Sequence, residues 1–117
     1  MKPCSLAICN ALLEHHRTVC LRPEGPLPPE QCLVTYGQIC DVAHVPMSQA
    51  VNVFMHEIAI WCAKNKFPPL NSLVVNQDSH VPGDGYDNAP NCSLANWTTE
   101  RAECIAFRGY PDQADRV

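Results

Sequence analysis

Apolar residues recur at helical spacing in several stretches of this chain and as a continuous run in one, and proline or glycine marks the breaks between them. Over residues 5–20, Leu6, Cys9, Leu13 and His16 or Arg17 fall on one face, Glu14, His15 and Arg17 face water, and Ser5 is the expected cap. Residues 22–30 hold four prolines and a glycine, which oppose helix and ladder alike and predict an extended linker. Thr35 suits the N-cap of a helix over 36–43, with Ile39, Val42 and Ala43 turned inward and Pro46 stopping it. Ser48 is the expected cap of a longer helix over 48–65. There Val51, Met55, Ile58 and Cys62 make a stripe beside Phe54 and Trp61, while Gln49, Asn52, His56 and Lys64 lie off it.

Phe67-Pro68-Pro69 ends that helix, and the β-rich Leu70–Asn76 predicts a short core strand. Residues 77–91 are dense in Asp, Gly, Pro and Asn and read as a turn and loop; the two glycines beside Asp84 belong to it as a tight loop. Thr98 or Thr99 caps a last helix over 99–107, packing through Ala102, Ile105 and Ala106. The order is helix (5–20), linker (22–30), helix-turn-helix (35–65), strand and loop (70–91), helix (99–107). It predicts one domain, residues 1–117, of α+β class and mainly helical, with a short strand or hairpin after the helix-turn-helix in the manner of a winged helix.

Composition narrows the setting. With 117 residues, 46% apolar and 17% charged, the chain reads as a globular domain, and no run of 18 apolar residues suggests a membrane span. Leu6-Ala7-Ile8-Cys9 is too short and too quickly broken by polar residues for a signal peptide, so the expected location is cytoplasmic. Eight cysteines invite a disulfide reading. However, Cys9, Cys40, Cys62 and Cys104 fall on helix faces that read as buried, and a reducing compartment would keep thiols. No Cys-x-x-Cys pair is present, and neither a metal site nor a cofactor site is expected. Cys40 with His44 and Cys62 with His56 have near-helical spacing, but each reads as a buried thiol beside a solvated imidazole, so no catalytic residue is assigned. His15-His16 reads as a surface pair, and the sequons at Asn91 and Asn96 matter only on export. Trp61 and Trp97 read as core or subunit-contact residues; exposed together, Trp61, Phe54 and Tyr36 would anchor a protein interface.

The net charge is −4, and its distribution is more telling. Residues 33–67 carry two bases and two acids, and residues 68–99 carry three aspartates and no base. Lysine and arginine on phosphate supply most sequence-independent DNA affinity. This map therefore predicts weak or assisted DNA binding, or a protein partner.

Val34-Thr35-Tyr36-Gly37-Gln38-Ile39-Cys40, with Pro46 and the segment Ser48-Gln49-Ala50-Val51-Asn52, resembles the DNA-binding part of alkyltransferase-like proteins and O6-alkylguanine-DNA alkyltransferases, which read "VTYGQIA" and "ARAVG". The resemblance spans about residues 33–85. It implies that Tyr36 lies against a nucleotide's backbone. Gln49 stands where the family's arginine enters the base stack, and Asn52 stands where the family has glycine. The family's "PCHRV", whose cysteine accepts the alkyl group, is matched here by Pro69-Leu70-Asn71-Ser72-Leu73-Val74-Val75, without cysteine or histidine. Alkyl transfer needs that thiolate, so the activity is not expected. The turn between the two helices is also one residue shorter than the family's and the second helix longer.

The residues point to a non-catalytic, nucleic-acid-associating module. Tyr36 positions a phosphate, and Ser48, Gln49 and Asn52 stand at the start of the second motif helix, where Gln and Asn suit adenine edges. Its partner is DNA, bound weakly, as a dimer or beside a larger DNA-bound protein. The competing expectation is an acidic protein-interaction module that inhibits or assists a nucleic-acid-handling complex, such as a mobile-element product acting against a defence system.

Overall fold

A computed structural model of the chain describes residues 1–21 and 27–114, so most of the expected 22–30 linker lies outside the described residues. Five helices and two short strands form its frame: α1 (Pro3–His15), α2 (Pro29–Cys32), β1 (Val34–Thr35), α3 (Tyr36–Ala43), α4 (Val51–Lys64), β2 (Val74–Val75) and α5 (Trp97–Ala106). α1 packs on α3 and α4, and α5 lies against the 3₁₀ turn Leu70–Leu73 that leads into β2.

α1 starts three residues from the N-terminus because Pro3 sits at its first helical position, where the missing N–H costs nothing. Ser5 is therefore not the expected cap: it is buried inside the helix, and its hydroxyl donates to Glu57 of α4. The same carboxylate accepts the Lys2 N–H at 3.2 Å, so a side chain from α4 closes the open end of α1. The Ser5 hydrogen bond, with Lys2 beside it, holds the Glu57 carboxyl below its ordinary range. The buried face of α1 is Ser5, Ile8, Cys9, Leu12 and Leu13, and the helix runs on into a π-type turn, His16–Cys20.

His16 corrects the surface-pair expectation. It is 2% exposed, its Nε2–H donates to the Cys104 carbonyl at 2.7 Å, and its ring stands edge-on to Tyr110 at 4.9 Å. His15 is half-buried and reaches the Cys32 carbonyl at 2.7 Å. Burial lowers the His16 pKa below its ordinary 6.5, because the charged imidazolium would lose its water. The unfolded chain then takes up a proton as the pH falls past about 6.5 while the folded chain resists. Stability is full above that value and is lost as the pH falls toward the lowered folded pKa. Urea unfolding between about pH 7 and pH 5 should show this loss, and His16→Asn should flatten it. An unchanged slope in the variant would remove His16 from the account.

α2 shows that the prolines do not exclude helix: Pro29 occupies the first position of a single turn, the one place proline favours. α3 matches the expected bounds. Thr35 Oγ1 accepts the Gln38 N–H at 3.1 Å and Gln38 Oε1 accepts the Thr35 N–H at 3.0 Å, a reciprocal capping box. The helix ends at His44, which takes the left-handed conformation (φ 58°), two residues before Pro46. Ile39 and Cys40 are its buried residues; Val42, expected inward, is 63% exposed.

α4 buries Val51, Met55, Ile58 and Cys62 as the spacing predicts, along with Ala59. Its start is later than expected. The Ser48 hydroxyl accepts the Ala50 N–H at 3.2 Å, closing a local turn over 48–50, and helix begins at Val51. The expected strand 70–76 is a 3₁₀ turn followed by β2 alone. β2 pairs parallel with β1 in the register Val34↔Val74 and Thr35↔Val75. Among the described residues no hairpin follows α4. α5 begins at Trp97 after a 3₁₀ turn, without a threonine cap. It buries Trp97 and Cys104, while Ala102 and Ala106, expected to pack, are exposed.

The main core gathers Ile8, Leu12, Leu13, Ile39, Ile58, Leu70 and Leu73 with most of the cysteines. Phe67 and Tyr110 extend it, with ring centroids 5.4 Å apart, and Trp61 and Phe107 stand against Phe67. A second cluster, Ala59, Val75, Tyr86, Ala89, Cys92 and Trp97, lies beneath the loop after β2. All eight cysteines are unpaired thiols, and seven of them are buried. Among the described residues no helix is long and apolar enough to cross a membrane.

Candidate nucleic-acid interface

The four residues singled out from the sequence fall in two adjoining places. Ser48 and Gln49 occupy the exposed turn before α4, and Asn52 is exposed in its first turn. Tyr36, the first residue of α3, is half-buried and points its hydroxyl at the loop after β2, where its oxygen accepts the Gly83 N–H at 2.8 Å. Burial raises the Tyr36 phenol above its ordinary pKa, so it remains a neutral hydroxyl whose hydrogen is available to an acceptor.

Tyr36 and Asn52 meet across a small cleft whose far wall is Gly85 and Tyr86 and whose floor includes Asn71. It leaves only about 10 Å³ for the centre of a water molecule, about the space of one water. A Cβ on Gly83 would stand 3.3 Å from the Tyr36 hydroxyl, and one on Gly85 would meet the Asn52 side chain at 3.8 Å. Gly83 thus lets the loop backbone close on Tyr36 of α3, whereas at Gly85 a side chain would make only ordinary contact with Asn52.

Asn71 lines this cleft, and Glu100 and Trp97 secure the segments beside it; of the three only Trp97, read as a core or subunit-contact residue, is expected from the sequence. Asn71 is 4% exposed; its Nδ2 faces Cys92 Sγ at 3.6 Å, and its Oδ1 has no hydrogen-bond partner among the described residues. An asparagine inside the apolar run Leu70–Val75 is the sequence signal that marks it. Glu100 of α5 ties the loop down, accepting the Tyr86 hydroxyl at 2.5 Å and the Ser93 N–H at 3.2 Å. Burial first, and then that carboxylate, raise the Tyr86 phenol far above its ordinary value. Trp97 completes the platform: its Nε1–H donates to the Ser72 carbonyl at 2.8 Å, and Arg101 lies over its ring at 4.5 Å.

The surroundings are poor in positive charge. Residues 27–63 and 67–100 contain no lysine or arginine, whereas Asp41, Asp78 and Asp84 are exposed near the motif and loop. Around the motif Val42, Met47, Val53 and Val81 are also exposed, Met47 to 61%. The thiol–imidazole pairings suggested by spacing are not made: Cys62 Sγ accepts the Leu70 N–H at 3.4 Å, and His56 lines the cleft instead. Phe54, Trp61 and Tyr36 are each half-buried and do not form one exposed cluster, since Trp61 stands edge-on to Phe67 and Tyr36 faces the glycine loop. Among the described residues no three histidine, cysteine or acidic side chains converge as a metal site. No protein family, curated protein or solved structure matches the chain.

Proposed function

We propose that the chain is a non-catalytic, cytoplasmic, nucleic-acid-associating module that uses α3 and α4 in a winged-helix-like manner. The observation that carries this reading is the exposed, uncharged, hydrogen-bonding start of α4. Ser48, Gln49 and Asn52 stand free of core packing beside Tyr36 and the loop it holds. In the proposed complex Gln49 and Asn52 meet base edges and the Tyr36 hydroxyl donates to a phosphate oxygen. The absence of lysine and arginine from these segments makes the association weak unless a dimer mate or a DNA-bound protein supplies the missing charge. Amide chemical-shift mapping with a duplex tests the reading. The largest shifts are expected at Tyr36, Ser48, Gln49 and Asn52; shifts confined to Lys64, Lys66, Arg101 and Arg108 would remove the start of α4 from the interface.

A second reading, favoured by the exposed Val42, Met47, Val53 and Val81 in surroundings without positive charge, is a protein-interaction module. It inhibits or assists a nucleic-acid-handling complex by presenting this apolar, mildly acidic face. Shifts at these four residues on adding a protein partner, with none on adding DNA, would select it.

A further inference from the structure

One amide oxygen in the cleft between α3, α4 and the loop after β2 is buried without a hydrogen bond. Asn71 is 4% exposed and its Nδ2 is turned to Cys92 Sγ, while Oδ1 meets no donor among the described residues. A carbonyl oxygen shut away from water is costly, and in folded proteins such atoms are nearly always met by a protein group or an ordered water. The nearby hydroxyls are engaged elsewhere: Tyr86 donates to Glu100, and Tyr36 turns its oxygen to the Gly83 N–H. A second oxygen faces the same space. Asn52 Oδ1 lies 3.9 Å from the place a Cβ on Gly85 would take, and Gly85 belongs to the opposite wall. The cleft that both amides line is about the size of one water molecule.

We propose that this cleft binds a single internal water, which donates one hydrogen to Asn71 Oδ1 and the other to Asn52 Oδ1. Buried waters typically make about three hydrogen bonds to polar groups that would otherwise go without, and these two acceptors supply the first two. The occupant is a neutral donor and not a cation. Sodium or ammonium would also meet amide oxygens, but a charge enclosed in the cleft needs an opposite charge beside it. No carboxylate lines the cleft, and the His56 imidazole that does line it can only add positive charge. The water joins the 3₁₀ turn before β2 to the first turn of α4. With its oxygen held inward, the Asn52 amide presents its Nδ2 hydrogens outward, as donors to acceptor atoms on base edges. Only this orienting role rests on the function proposed above; the water itself does not.

Water-selective NOE and ROE spectra of the isotope-labelled chain, recorded without nucleic acid, test the proposal. The hydrogens to follow are those on Asn71 Nδ2 and those on Gly85 Cα, which do not exchange with solvent. Both should show water cross-peaks whose NOE and ROE have opposite signs, the mark of a water held in place and not passing over the surface. Asn71→Leu removes the acceptor and should lose the Gly85 cross-peak, whereas Asn71→Asp keeps an oxygen there and should retain it. Should neither variant fold, the wild-type spectra decide. No water cross-peak at either position in the wild type, or one at Gly85 that persists in Asn71→Leu, would overturn the proposal. So would a wild-type cross-peak that sodium or ammonium chloride abolishes, since a cation would then be the occupant. Because the spectra involve no DNA, a missing water leaves the nucleic-acid reading standing, and a failure to bind DNA leaves the water standing.

Discussion

Replacing Trp97 by alanine is expected to destabilise the fold by about 3–5 kcal/mol, the usual cost of removing a large aromatic side chain from a core. Three losses combine. The indole leaves the cluster of Ala59, Val75, Tyr86, Ala89 and Cys92, its N–H abandons the buried Ser72 carbonyl, and Arg101 loses the ring beneath it. Trp97→Phe should cost less, because it keeps most of the apolar contact and loses chiefly the hydrogen bond, worth about 1–3 kcal/mol when the stranded carbonyl is buried. Denaturant unfolding with an unchanged m-value measures both. The effect also reaches the proposed interface: Tyr86 is in the same cluster, and its loop carries the Gly83 N–H that Tyr36 accepts. The alanine variant should accordingly lose hydrogen-exchange protection at Gly83 and Tyr86 before global unfolding. Equal stability of wild type and Trp97→Ala would mean that the second cluster contributes nothing to the fold.

The second large effect falls on binding and spares stability. The double variant Gln49→Ala/Asn52→Ala should weaken duplex affinity by roughly tenfold or more, since each well-placed amide–base contact is worth about 1–3 kcal/mol. Both side chains are exposed, so the folded state should change by no more than about 0.5 kcal/mol. That separation distinguishes a base-reading role from a structural one. A double variant that binds as wild type would leave Gln49 and Asn52 as ordinary solvated residues.

The sequence made the local features legible and hid the distant ones. The Thr35/Gln38 capping box and the Val51, Met55, Ile58, Cys62 stripe depend on residues three or four apart, and spacing alone located them. Ser48 misled because a serine hydroxyl that closes a two-residue turn looks the same in sequence as one that caps a helix. Val42 misled because the apolar count of α3 does not say which side meets α1. β1 was invisible for a different reason. Two residues have no readable period, and their partner in β2 lies forty positions further on. His16 and Asn71 are the costlier omissions. Their burial is set by Cys104 and Cys92, remote in the chain, and a histidine or asparagine in an amphipathic stretch ordinarily faces water. Of the candidate site, the exposure of Gln49 and Asn52 followed from their place off the stripe. The coupling of Tyr36 to Gly83, and of Tyr86 to Glu100, needed the folded chain.

The central claim is that the start of α4 meets nucleic acid with little help from positive charge. Its most direct measurement is a fluorescence titration of a random-sequence duplex with the reduced chain of residues 1–117, begun at low salt and repeated as salt rises. The account predicts saturable binding with a dissociation constant of roughly 10⁻⁵–10⁻⁴ M, and a shallow log–log salt slope of about −1 to −2, because few phosphates meet a lysine or arginine. No binding at tens of micromolar protein in low salt would contradict it and leave the apolar face around Val42 and Met47 as the surface to pursue.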